Sequence, residues 1–245
     1  RIMKKKLLIL LFCVFTFSHS QNSGSVFYKV KLSSNLFDKE EIKINKHFEL
    51  INSALNENTN KFKFILKFNK KESLFNTINQ MAPENISRKH KMAKILIGAK
   101  EVFYFNTELD LKLTKKNAFG QNFIIKDSIS QTKWKLMNES KNIDSYICYK
   151  AITSKKLINS KGIFYSDVIA WYCPKLPYKF GPKGYGNLPG LILELQDDKF
   201  VYYATKIEFN KEKTINVVRP KKGKLVTKAE YLKIVLGTEI SFGGN

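Results

Sequence analysis

The stretch "KFKFILKFN", residues 61–69, places Phe62, Phe64, Leu66 and Phe68 at alternate positions, with Lys61, Lys63 and Lys67 between them. A period of two sends successive side chains to opposite faces, so the segment suits a strand with one buried face and one solvated face. The same alternation runs through "SGSVFYKVKL" near the N-terminus. Further strand candidates are "EVFYFNT", "LKLTKK", "QNFIIKD", "QTKWKLM", "SYICYKAIT", "IFYSDVIAWYC", "GLILELQ" and "KFVYYATKIEF", separated by Asn, Gly, Asp and Ser clusters at hairpin-like intervals. Two segments have helical spacing instead. Between residues 38 and 57, Ile44, Phe48, Ile51 and Leu55 recur at three- and four-residue steps. Near the C-terminus, Thr227 and Glu230 form a capping-box pattern before "YLKIVLG", with Gly237 placed as a C-cap. Residues 76–98 are rich in Asn and Lys and weakly periodic, and are expected to be a loop with a single helical turn. The expected fold is mainly β (α+β): a curved antiparallel sheet, partly barrel-like, with a few covering helices.

The N-terminus carries an export signal. Met3 reads as the natural start, Lys4 to Lys6 form a basic n-region, and Leu7 to Phe17 form an apolar stretch too short to span a bilayer as a helix. Ser18 and Ser20 then put small side chains before Gln21, so residues 1–20 are expected to be a cleaved signal peptide. Cys13 lacks the small neighbours of a lipobox, and no later segment is apolar enough for a transmembrane helix. The expected organisation is one antiparallel β domain over residues 21–245, exported to the periplasm or cell surface.

Removing Arg1 and the three signal lysines takes the formal charge from +22 to +18. Such a balance attracts polyanions, but 40 of the 43 basic residues are lysine, leaving only Arg1, Arg88 and Arg219. Bidentate reading of bases and phosphates favours arginine, and here the lysines alternate with apolar residues as on a solvated strand face. Specific nucleic-acid binding is not expected.

Several chemistries lack their parts. His47 and His90 stand apart from any Ser, Cys or carboxylate motif, no CxxC or HxxxH occurs, and "GPKGYGNLPG" lacks the ending of a phosphate-binding loop. No metal or cofactor is expected. What remains for catalysis is a carboxylate pair drawn from Asp167, Glu194, Asp197 and Asp198, although "QDDK" also reads as a hairpin turn. Cys148 and Cys173 lie symmetrically about the turn "NSKG", so a hairpin that keeps register sets them opposite each other. In an oxidising compartment that allows a disulfide; two separate buried thiols are the alternative.

The segment after Trp171 is a long loop broken by Pro174, Pro177, Pro182 and Pro189 and by Gly181, Gly184, Gly186 and Gly190. It ends in Asn187-Leu188-Pro189-Gly190-Leu191-Ile192, where Gly190 is expected at positive φ, turning the chain into the buried strand "LILEL". Its primary role reads as a rigid corner closing the core; the second reading is a ligand-facing loop that presents Trp171, Tyr178, Phe180, Tyr185 and Asn187. This hexapeptide, with Asn in place of the first Gly, resembles the signature of the GLPGLI family of exported Bacteroidetes proteins. "KDSISQTKWKLMNESKNIDSYICYKA" and "AWYCPKLPYKFGP" extend the resemblance over residues 120–210. Family members usually carry Thr where Cys173 stands, and the family brings no established activity.

The leading functional expectation is a non-enzymatic binding or carrier module of the cell envelope for a lipid, peptide or glycan. The alternatives are a carboxylate-dependent hydrolase and a structural partner of an outer-membrane protein complex. An apolar concave face would favour the carrier, a cluster of Asp or Glu there would favour the enzyme, and an exposed apolar patch without a pocket would favour the structural partner. The leader makes one prediction: N-terminal sequencing of the native protein should begin at Gln21, and a retained Met3 terminus would refute it.

Overall fold

A computed structural model of the chain describes residues 23–78, 86–159, 162–210 and 214–242; the expected signal peptide lies outside them. Among the described residues twelve strands are formed: β1 (Ser23–Leu32), β2 (Lys63–Asn69), β3 (Glu72–Thr77), β4 (Val102–Asn106), β5 (Leu111–Ala118), β6 (Gln121–Asp127), β7 (Lys135–Ile143), β8 (Tyr146–Asn159), β9 (Gly162–Cys173), β10 (Leu191–Asp197), β11 (Phe200–Asn210) and β12 (Lys224–Thr227). They join one sheet in the order β12-β6-β5-β4-β3-β2-β1-β11-β10-β9-β8-β7. Every pairing is antiparallel except β12, which lies parallel to β6. The sheet is strongly curved: Lys126 and Asp127 of β6 line the same groove as Lys156 and Ile158 of β8, although these strands lie near opposite edges. It stays open, with β12 and β7 as its edges.

β1 is the central strand. Tyr28 stands opposite Phe64 on β2 and Ala204 on β11, and Val26 opposite Leu66 and Ile207. The alternation read from the sequence decides what is buried: Val26, Tyr28, Val30, Phe64, Leu66 and Phe68 all face the core. A smaller cluster of Tyr104, Leu111, Leu113, Ile124 and Val217 packs separately. Among the described residues no helix is long and apolar enough to cross a membrane.

The helices depart from expectation in three places. The segment 38–57 is split into α1 (Lys39–Ile44), with a complete capping box between Asp38 and Glu41, and α2 (His47–Asn58). The break at Asn45 and Lys46 leaves Ile44 86% exposed instead of sharing a face with Phe48 and Leu55. Within 76–98, β3 extends to Thr77 and α3 (Arg88–Leu96) is a nine-residue helix. Ser87 caps it by accepting from the His90 amide (3.1 Å), and it buries only Ala93, which explains its weak periodicity. Finally, α4 (Lys228–Phe242) starts at the expected Thr227–Glu230 box but runs through Gly237.

Residues 174–190 fold back over the core. Leu176, Tyr178, Phe180 and Leu188 are buried, while Lys175, Pro177 and Lys179 between them are exposed, so this stretch has strand-like alternation without a full ladder. Three amides fasten it: Asn187 to the Lys179 carbonyl (2.9 Å), Leu191 to Leu176 (2.9 Å) and Ile192 to Phe180 (3.0 Å). The buried Tyr28 hydroxyl donates to the Ile192 carbonyl at 2.6 Å. Asn187 takes φ 64°, which Asn tolerates better than most residues. Gly190 is not at positive φ; the reason for glycine is the Cys173 carbonyl, which a Cβ at Gly190 would approach closer than 3.0 Å.

The corner therefore yields a contrast. Gly190→Ala should lower stability by about 1–3 kcal/mol through overpacking against fixed backbone. Asn187→Gly should stay within about 0.5 kcal/mol of wild type, since glycine also accepts that φ. Urea unfolding of both variants checks this; a Gly190→Ala protein as stable as the wild type would remove the close-approach argument.

Candidate functional site

The curl of the sheet leaves a cleft of about 840 Å³. One wall comes from residues 94–103 and from β5 and β6, the other from Lys155 of β8, Lys183 and Tyr185 of the loop, and Asp197, Asp198 and Tyr202 around the β10–β11 turn. Lys228, Tyr231 and Leu232 of α4 line it as well. A smaller groove of about 610 Å³ shares Asp127, Lys228 and Leu232 with it.

At one end Glu101 receives two lysines, Lys116 at 2.7 Å and Lys183 at 3.2 Å. Burial acts to raise the Glu101 pKa, but the charges and hydrogen bonds of Lys183 and Lys116 outweigh it and hold the carboxyl below its ordinary value. Lys183 also passes over the Phe103 ring at 5.0 Å. Together with the Tyr202 hydroxyl (3.2 Å), it bonds the Ile97 carbonyl just past the end of α3 (3.4 Å). These bonds fasten the α3 end to the cleft wall.

The middle of the cleft holds Lys112, Asp127, Lys155, Tyr185 and Asp197. Asp197 is ion-paired with Lys155, and Asp127 accepts from the Ser128 amide at 2.9 Å. Lys112 lies 5.4 Å from the Tyr185 ring centre. Desolvation pushes the Lys112 pKa down, the Asp127 and Asp197 charges oppose that, and Lys228 and Lys155 add to it. Burial, followed by the Asp197 charge, pushes the Tyr185 pKa up, so its hydroxyl stays a neutral donor. Two carboxylates, a phenol and an aromatic face in one groove can hold a polyhydroxylated molecule and accept a proton from water.

The structure separates the residues that the sequence grouped. Tyr185 lines the cleft. Tyr178 and Phe180 are core: Phe68 packs against both rings, at 4.5 and 6.1 Å, and Phe105 meets Phe180 edge-on at 5.9 Å. Trp171 lies half-buried under Lys141 (4.3 Å), and Lys141 also pairs with Glu194 (2.8 Å). Asn187 is exposed at the corner, and Leu188, Leu191 and Ile192 are core. Of the four carboxylates, Asp197 and Asp198 reach the cleft, whereas Asp167 is exposed on β9. Asp198 also forms the hairpin turn, at φ 58°. Glu101, Asp127 and Lys112 were not singled out in the sequence; on strand-like segments they look like ordinary solvated positions.

The β8–β9 hairpin keeps the expected register, with Asn159 opposite Gly162 and Tyr149 opposite Tyr172. Cys148 and Cys173 are nevertheless two free, buried thiols. Burial, then the charge of Cys173, pushes the Cys148 thiol up to about 12, which makes it a poor nucleophile. His90 stacks on Phe62 at 4.8 Å, away from the cleft. Among the described residues, no three His, Cys, Asp or Glu side chains gather as metal ligands would.

Comparison with known proteins identifies the fold. Residues 100–232 match the sequence profile of the N-terminal domain of the N-glycanase peptide family. The chain belongs to this N-glycanase N-terminal domain family. Two solved structures of PNGF-II, in space groups C2 and P21, resemble it with TM-scores of 0.51 and 0.50 at 16% and 17% identity. The alignments cover 87% and 88% of this chain but 32% and 33% of theirs, so the chain spans about a third of those proteins. At that identity the likeness is one of fold. No curated protein matches the chain.

This overturns the GLPGLI resemblance. The residues that carried it, 120–210, fall inside the N-glycanase match, and the hexapeptide itself encodes a packed corner, which identifies no activity. The expectation of a non-enzymatic binding or carrier module is overturned with it. The matched family is that of a glycanase domain, and the concave face sets Glu101, Asp127, Asp197 and Asp198 among its apolar lining residues.

Because the Glu101 pKa is depressed in the folded state, its contribution to stability is present above the ordinary carboxylate range and lost as pH falls through the depressed value. Glu101→Gln should cost about 1–3 kcal/mol at pH 7 and progressively less under acid. Urea unfolding at pH 7 and pH 3 checks this; equal losses at both would contradict the ion-pair account.

Proposed function

We propose that the protein takes part in the hydrolytic processing of protein-linked glycans, as one domain spanning residues 21–245 that acts after export to the periplasm or cell surface. The cleft holds the saccharide, Tyr185 offers its ring as a stacking face, and Asp127 and Asp197 are the working carboxylates. The reading is carried by one coincidence: a chain of the N-glycanase N-terminal domain family has an open groove in which carboxylates and an aromatic ring meet. Sugars are held in that way, by hydrogen bonds from hydroxyls to carboxylates and by stacking of their apolar faces.

The division of labour follows from the pairing. Asp197 is tied to Lys155 and so held in position, which suits orienting a hydroxyl. Asp127 forms no ion pair among the described residues; its remaining oxygen is free to take a proton from an attacking water as the bond to the glycan breaks. The Tyr185 hydroxyl, kept neutral, can donate a hydrogen bond to the leaving group, and the proton taken by Asp127 passes to that group as the bond breaks.

The test is release of glycan from an N-glycosylated glycopeptide by the purified protein, followed by mass spectrometry. Release should be seen with the wild type, and Asp127→Asn should slow it by about 10²–10⁴-fold while its circular dichroism is unchanged. No release by a folded wild-type protein that also fails to bind a saccharide would overturn the proposal.

A further inference from the structure

Lys112 is an anomaly in the cleft. Glu101 takes up Lys116 and Lys183, and Asp197 takes up Lys155. The Lys112 ammonium has no ion pair and no hydrogen-bond partner among the described residues; it lies 5.4 Å from the Tyr185 ring centre, with Asp127 opposite it on the neighbouring strand. Its stem is nonetheless held in place. A Cβ on Gly184 would come within 3.2 Å of Lys112 Cε, and Gly184 sits at φ +70°, where a side chain is disfavoured. The backbone at 184 thus forms one side of a slot for the lysine stem, and Tyr185 forms the other. Holding a partly desolvated ammonium without a direct ion pair costs free energy, so the arrangement contributes little to stability on its own. A bound anion would complete it.

The surroundings define that anion. The charges acting on Lys112 are Asp127 and Asp197 against Lys155 and Lys228. The cleft lining as a whole carries seven lysines against four carboxylates and is net positive. An anion is attracted to that lining, but Asp127, opposite Lys112 in the β5–β6 pair, and Asp197 repel a doubly charged phosphate more than a singly charged group. A carboxylate fits, and the Tyr185 face beside it fits the ring that bears it.

We propose that Lys112 anchors an acidic sugar, so that the cleft prefers glycans carrying a uronic or sialic acid carboxylate, with this group on Lys112 Nζ and the sugar ring against Tyr185. This rests on the glycan reading above and narrows its substrate class. Lys112 determines specificity; the hydrolytic step does not require it to exchange a proton.

The experiment titrates the full chain with three oligosaccharides that share one core: one ending in a glucuronic acid residue, one in its neutral methyl ester, and one in a sugar phosphate. Binding is read by calorimetry at low salt. The acid should bind about tenfold or more tightly than the ester, and the phosphate should not exceed the acid. Lys112→Met keeps the apolar stem and should bring the acid down to the affinity of the ester, while Lys112→Arg should keep a preference. Equal binding of acid and ester would overturn this inference and leave the glycan reading standing. Tighter binding of the phosphate would also overturn it, since the site would then accept a double charge. Failure of all three to bind, together with no glycan release, would remove the glycan reading and this inference with it.

Discussion

The Tyr28 hydroxyl and the Ile192 carbonyl meet at 2.6 Å inside the core, and much of the architecture depends on that contact. Tyr28 belongs to the central strand β1; Ile192 begins the strand that follows the corner. A buried carbonyl without a donor is costly, and β10 is bulged against β9 just after Ile192, where the regular ladder is interrupted. The phenol supplies a donor where the sheet does not. In doing so it fixes the level at which residues 174–190 lie over the aromatic cluster of Phe68, Phe105 and Phe180.

Once that segment is seated, the cleft follows. Lys183, Gly184 and Tyr185 come directly after the buried Phe180–Pro182 stretch, so their positions are set by the core rather than by a loose tip. Lys183 then reaches Glu101 and the Ile97 carbonyl, which draws the α3 end and β4 into the same wall. Polar groups in the cleft are thus held by ion pairs whose far ends are rooted in packed aromatic residues, the kind of support a site needs to keep its geometry.

How much of this the sequence reveals depends on the length scale. Alternation identifies β1 and β2 because each buries every second side chain and leaves the others toward solvent. It fails for β12, four residues long and paired in parallel at an edge, and for α3, which buries little. Tyr185 and the Asp197–Asp198 turn could be picked out because their neighbours are Gly, Pro and Asp. Lys112 could not: it is one lysine among 40, and only curvature brings β5 opposite the β10–β11 turn. Gly190 shows a subtler gap. Its residue type was informative, but the cause was a neighbouring carbonyl, and sequence carries no record of distance.

The order of strands also has a kinetic meaning. β1 pairs on one side with β2, close in sequence, and on the other with β11, so that Ser23 meets Asn210. The middle of the sheet therefore cannot be completed until almost the whole chain is available, and its closure carries the entropy of a very long loop. Until then the nascent chain holds only local hairpins, each with an apolar face uncovered and neither half of the cleft in place. Such a chain assembles late and all at once. It also means that the interval before closure, when those faces are bare, is when the chain most needs protection from its own kind.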